Sequence, residues 1–181
     1  MSQPVSQAES KEKPLGRHYE ESITLNAAPE DVFALVDDHS RLSSHMSQSS
    51  WLMGGGRMEI TLDQGQGREV GSHIRLSGEV LGMRLFLDEV VTRREPPGVK
   101  VWQTVGDVRL LVIGHYRMAI EVKPQPAGSL LRVAIDYDLP STGAWLGRLC
   151  GGFYARWCVQ QMIKGAREAF RPGHRDRAVN G

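Results

Sequence analysis

Four polar residues carry the chemistry that this chain can offer in an apolar setting: Glu89, Gln103, Tyr116 and Tyr137. Each sits in a run that alternates with period two, the pattern of a β-strand with one face buried. Glu89 shares a face with Leu85, Leu87 and Val91, against Arg84, Phe86, Asp88, Val90 and Thr92. Both sets are mixed, so alternation alone leaves two readings open. Either Glu89 looks into the interior, or it reaches water at the rim of a sheet. A carboxylate buried without a partner costs several kcal/mol. An interior Glu89 therefore needs a hydrogen-bond donor or a raised pKa. Gln103 shares a face with Val99, Val101 and Val105 and is one candidate donor; the hydroxyls of Tyr116 and Tyr137 are others. A few polar points in an oily pocket are the signature of a small-molecule site.

Other reactive side chains lack partners at useful spacing. His39 and His45 are a poor ligand pair, and the chain has neither an HxxxH nor a CxxC spacing. No GxSxG, Cys–His or dinucleotide pattern occurs. Gly54, Gly55 and Gly56 are followed by neither Lys-Ser/Thr nor a helical pattern, so they mark a turn rather than a phosphate loop. Cys150 and Cys158 fall on one helix about 12 Å apart along its axis, too far for a disulfide. Cys158 beside Trp157 reads as buried and inert. His115, Arg117, Arg132 and Asp136 fall on the polar faces of two strands and read as a solvated ladder. Nothing here demands an enzyme, a metal or a cofactor.

The elements that must position these residues follow from the same patterns. Residues 1–17 are rich in Ser, Gln, Glu, Lys and Pro and read as a disordered leader. A first strand covers His18 to Asn26. Asn26 as cap, Pro29 in the first turn and the acidic pair Glu30 and Asp31 then open a short helix carrying Val32, Phe33, Leu35 and Val36. A second short helix fits Ser40 to Met46. Further strands read at Arg57–Leu62, Ser72–Val80, Met83–Arg93, Gly98–Val105, Leu110–Val122 and Ser129–Leu139, with short breaks that imply antiparallel neighbours. The last helix, Gly143 to Phe170, is the only element long enough to cover such a sheet, and the polar tail after it, 171–181, reads as flexible. On this helix Leu146, Leu149, Phe153, Trp157 and Gln161 make one row, and Cys150, Tyr154, Cys158 and Met162 a second. Gly151 and Gly152 interrupt it as a possible hinge or a point of close approach. Trp51, Met53, Met58 and Trp102 read as core or lid packing beside a cavity mouth.

The order of elements, with the segments ITLNAAPEDVFALVDD, VVTRREPPGVKVW and GSLLRVAIDYDLP, resembles the START-like or SRPBCC superfamily, in particular its polyketide cyclase/dehydrase and lipid transport group. The resemblance covers about residues 18–170. It implies an α+β helix-grip fold: a curved antiparallel sheet of about seven strands around a long C-terminal helix, with two short helices after the first strand. It implies a deep hydrophobic cavity between sheet and helix, and it turns Val91, and with it Glu89, inward. That superfamily holds carriers, cyclases and chaperone-like modules, so it implies no single activity.

The expectation is a protein that binds a hydrophobic or amphipathic small molecule, lipid-like or aromatic, with Leu76, Leu87, Glu89, Val101, Gln103, Tyr116, Met118, Ile135, Tyr137, Phe153 and Trp157 lining the site. The alternatives are a cyclase or dehydratase with Glu89 as general acid/base, and an interaction module with a filled cavity. A formal net charge of +1 gives no electrostatic case for nucleic acid. No run of about 18 apolar residues is present to cross a membrane. Two free thiols and a polar start to the chain point to the cytoplasm.

Overall fold

The computed structural model describes residues 15–42, 58–80, 83–140 and 144–171. The expectations for the leader up to residue 14, His45, Trp51, Met53, the glycine run and the tail beyond 171 fall outside these residues; the end of the expected leader is ordered instead, with the Gly16 amide donating to the Asp138 carboxylate and Arg17 opening the first strand. The described elements are β1 (Arg17–Leu25), α1 (Pro29–Asp37), α2 (His39–Leu42), β2 (Met58–Leu62), β3 (His73–Val80), β4 (Met83–Glu95), β5 (Val99–Arg109), β6 (Tyr116–Gln125), β7 (Gly128–Tyr137) and α3 (Ala144–Ala169). The strands form one antiparallel sheet in the order β1-β7-β6-β5-β4-β3-β2. It curves around the long terminal helix, the helix-grip arrangement. None of the described helices is long and apolar enough to cross a membrane.

Alternation sets the inner face in most strands. Tyr116, Met118, Ile120 and Val122 of β6, and Leu131, Val133, Ile135 and Tyr137 of β7, are all buried. Their polar alternates form an outer ladder: Asp136 bonds His18 and Arg117, and Arg132 bonds Glu20 and Glu121. His115 is not part of that ladder, because its ring meets the Thr104 hydroxyl at 3.2 Å. β6 starts at Tyr116, not Leu110. Before it, the Gly114 amide donates to the Asp138 carbonyl at 2.8 Å, which diverts the chain from the ladder. α1 also starts later than an Asn26 cap would place it: Ala28 is the cap residue and makes no side-chain cap bond.

α3 packs on β1, β7 and α1. Among its described side chains and glycines, the buried positions are Gly147, Gly151, Ala155, Val159, Met162, Ile163 and Ala166. Small side chains in its first half let the helix come close to the sheet end. A Cβ on Gly151 would stand 2.8 Å from the Val112 carbonyl oxygen, and one on Gly147 2.6 Å from Pro140. Gly151 is thus a packing contact, which accounts for the glycine without a hinge. The row Leu149–Phe153, expected to face the sheet, is exposed instead.

Gly151→Ala should lower stability by about 1–3 kcal/mol, because overpacking against a backbone carbonyl outweighs the better helix propensity. Gly165, with nothing within 4 Å of its Cβ position, should respond the other way, gaining roughly 0.5–1 kcal/mol as alanine. Thermal or urea melts of the two variants check this; equal shifts of one sign would contradict the close-approach account.

Candidate functional site

Glu89 lies on the inner face of the sheet with 4% of its surface exposed. The register explains its neighbours. Glu89 stands opposite Ile74 of β3 and Thr104 of β5, and the next inward pair along is Val91 and Trp102. Around it, Leu76, Leu87, Met118, Ile135 and Tyr137 are all buried on the same face. One carboxyl oxygen, Oε1, accepts a hydrogen bond from the Tyr116 hydroxyl and a second from the Trp102 indole N–H at 3.2 Å. Burial pushes the Glu89 carboxyl up to about 7, even though both donors pull it back. Burial, followed by the neighbouring carboxyl, holds the Tyr116 phenol well above its usual range. Tyr116 therefore stays a donor. Its position is locked from behind, where its amide donates to the Thr104 hydroxyl at 3.0 Å.

Beside this carboxyl lies a second buried polar group. Lys100 has no exposed surface at all. Its ammonium carries three protons, and three acceptors surround it: the Asp37 carboxylate at 2.9 Å, the Asp37 carbonyl at 2.8 Å and His39 Nδ1 at 3.2 Å. Arg94 clamps the same carboxylate at 2.8 Å. Burial opposes the charge on Asp37, yet Arg94 and Lys100 together hold its carboxyl below the usual range. Burial lowers the Lys100 ammonium. His39 is pushed down to about 3, first by burial and then by the Lys100 charge. A neutral His39 that accepts at Nδ1 carries its proton on Nε2, a tautomer assigned from this network. That nitrogen lies 4.0 Å from Glu89 Oε2, longer than a direct hydrogen bond. The His39 ring also meets Trp102 edge to face at 5.0 Å.

Local sequence delivers each part. The α1–α2 corner carries Asp37 and His39, and the Asp38 carboxylate accepts the Ser40 amide to turn the chain there. A register shift between Val91 and Arg93 places an extra residue in β4. Past such a bulge the alternation changes phase. Arg94 therefore reaches Asp37, while Arg93 pairs with Glu95 on the surface. Tyr154 and Cys158 of α3 approach the carboxyl from the helix side. Burial raises the Cys158 thiol to about 12, so it is not a nucleophile.

The expected lining residues divide into two groups. Leu76, Leu87, Glu89, Tyr116, Met118, Ile135 and Tyr137 come together on the buried inner face, and Trp157 is half-buried on α3. Val101 and Gln103 do not join them. β5 turns Lys100, Trp102 and Thr104 inward, so Val101 and Gln103 lie on the opposite face, and Trp102 takes the donor role considered for Gln103. Phe153 is 59% exposed on the outside of α3. Sequence reasoning missed Asp37, His39, Arg94 and Lys100. The only signal was the K-x-W-x-T alternation of β5, hidden because its other face carries three valines.

The raised Glu89 pKa fixes the sign of a stability change with pH. Below its ordinary 4.5 the carboxyl is protonated in both folded and unfolded chains, and its contribution is fully present. As pH rises toward about 7 the unfolded chain ionises first, and that contribution is lost. His39 works oppositely: its contribution is present above 6.5 and is lost as pH falls toward about 3. Both proteins keep His39, so the stability of the wild type minus that of Glu89→Gln isolates the carboxyl. That difference should fall by on the order of 2–3 kcal/mol as pH rises from 4.5 to about 7. Parallel pH curves would contradict the buried placement. Lys100→Met should lose roughly 3 kcal/mol at neutral pH, as breaking a buried pair does, despite the help Arg94 still gives Asp37.

Residues 17–171 match the profile of the family described as polyketide cyclase/dehydrase and lipid transport. No curated protein matches the chain. Among solved structures, protein CV1439 from Chromobacterium violaceum is 19% identical with a TM-score of 0.56, covering 86% of this chain and 97% of that one. The di-domain ARO/CYC protein StfQ from the steffimycin biosynthetic pathway is 10% identical with a TM-score of 0.62, covering 90% of this chain and 51% of that one. Norcoclaurine synthase from Thalictrum flavum, solved with dopamine and hydroxybenzaldehyde, is 14% identical with a TM-score of 0.57, covering 84% of each chain. At these identities the likeness is one of fold. The profile match spans nearly all the described residues, and on that ground the chain belongs to the polyketide cyclase/dehydrase and lipid transport family.

Proposed function

We propose that this protein binds a hydrophobic or amphipathic small molecule, lipid-like or aromatic, between the inner face of the sheet and α3. One observation carries the reading. A buried carboxyl, held by the donors Tyr116 and Trp102, is set among Leu76, Leu87, Met118 and Ile135. Apolar burial supplies the affinity, about 25 cal/mol per Å² removed from water. The carboxyl and its two donors give the ligand's polar end one orientation.

The arrangement supports binding ahead of a cyclase or dehydratase reaction. The Tyr116 hydroxyl is already engaged with Glu89, and the Lys100 ammonium is saturated by Asp37 and His39. Neither stands ready to stabilise a developing charge on a substrate.

Anilinonaphthalene sulfonate, an anionic amphipathic aromatic probe, tests the site in the full-length protein. Saturable binding with one probe per chain by native mass spectrometry, displaced by a long-chain fatty acid, is the expected result. Affinity should fall as pH rises through about 7, where Glu89 becomes an anion, and this step should vanish in Glu89→Gln. Absence of saturable binding would overturn the proposal. A pH step unchanged in Glu89→Gln would place the probe elsewhere.

A further inference from the structure

Trp145, Leu149 and Phe153 are spaced four apart on α3, and they are 68%, 73% and 59% exposed. Residues four apart lie on one side of a helix, so these three form a continuous apolar ridge on its outer surface. Three such side chains in one row are unlike the scattered single exposures of an ordinary surface. They are not needed for the core, because this half of the helix packs through Gly147, Gly151 and Ala155.

The charges on the helix are one-sided. Ala144–Ala169 contains Arg148, Arg156, Lys164 and Arg167, and its only acidic residue is Glu168 near the far end. Arg148 and Arg156 flank the ridge and are exposed. The neighbouring end of the sheet continues the character. Val112 of the β5–β6 connection lies beside Gly147 and Gly151. A cavity of about 550 Å³ opens there, with walls that include Val108, Leu110, Leu111 and Pro140. Arg84, Arg109, His115 and Asp138 are its polar lining.

We propose that this end of the domain, led by the Trp145–Leu149–Phe153 ridge, docks on the surface of an anionic phospholipid bilayer. An apolar row bearing Trp, Leu and Phe, flanked by Arg and with no acid nearby on the helix, is the composition that settles a helix in the plane of a bilayer interface. The apolar side chains enter the headgroup–acyl boundary, and the arginines meet lipid phosphates, each contributing about 1 kcal/mol near an anionic surface. The helix that carries the ridge outside presents Tyr154 and Cys158 toward Glu89 within, so docking sets the inner site against the membrane.

The test is sedimentation of the full-length protein with phosphatidylcholine vesicles, alone and with part of the lipid replaced by phosphatidylglycerol. Binding should be clear with the mixed vesicles, weaker with phosphatidylcholine alone, and reduced by added salt. Trp145→Ser with Leu149→Ser should weaken it about tenfold or more. Arg148→Glu with Arg156→Glu should abolish the preference for phosphatidylglycerol. All four positions are exposed, and thermal melts verify that the variants fold. The salt dependence of the unaltered protein provides a reading that needs no variant. No cosedimentation, or full binding by the serine variant, would overturn the proposal. So would a wild-type dimer that the serine variant converts to monomer, since a second copy would then cover the ridge. The readout does not depend on ligand binding at Glu89, so either reading can fail without the other.

Discussion

The inner site depends on one constraint: a carboxyl with almost no access to water must be satisfied by what surrounds it. Glu89 has two donors on one oxygen, Tyr116 and Trp102, and no cation in contact among the described residues. The donors stabilise the charged form, and burial opposes it more strongly. The resulting balance leaves the group able to change charge near neutrality. Each donor is in turn held from elsewhere, Tyr116 through the Thr104 hydroxyl and Trp102 by its edge-to-face contact with the His39 ring. The carboxyl's properties thus come from four separate elements, β4, β5, β6 and α2.

The second buried network serves a different end. Lys100, Asp37 and Arg94 bring two positive charges and one negative charge into or against the core. Such groups are weak evidence for stability, since well-packed apolar residues of similar volume often do as well. Their effect here is positional. They join the α1–α2 corner to the middle of the sheet and fix which nitrogen of His39 carries a proton. The Lys100 charge also keeps His39 neutral, so the side chain facing Glu89 is a dipole rather than a cation. An additional positive charge at that point would favour the ionised carboxyl and lower its pKa.

Much of the fold was legible from alternation, because in β6 and β7 the apolar and polar sets separate cleanly. Tyr116, Met118, Ile135 and Tyr137 face inward as that pattern requires. β5 defeated the same rule. Its valines are half-buried on the outer face, while the inner face carries Lys100, Trp102 and Thr104. The rule that apolar residues face the core assumes that polar ones lack partners inside, and Lys100 has three. The partners come from a helix corner some sixty residues earlier in the chain, a distance that no local pattern spans. β4 concealed Arg94 for another reason: the bulge changes the phase of the strand, and alternation carries no mark of it. On α3 the large side chains pointed the wrong way. In the first half of the helix, close approach to Val112 and Pro140 selects glycine at Gly147 and Gly151, so size ceased to report burial there.

The ionisation of Glu89 itself tests the account most directly. The carboxyl carbon of a selectively labelled glutamate reports protonation through its NMR chemical shift, and Glu89→Gln assigns the signal. A midpoint near 7 is the predicted result, with the protonated form dominant in mildly acidic solution. A midpoint near the ordinary 4.5 would show a carboxyl in contact with water. It would remove the buried polar centre on which the proposed binding site is built.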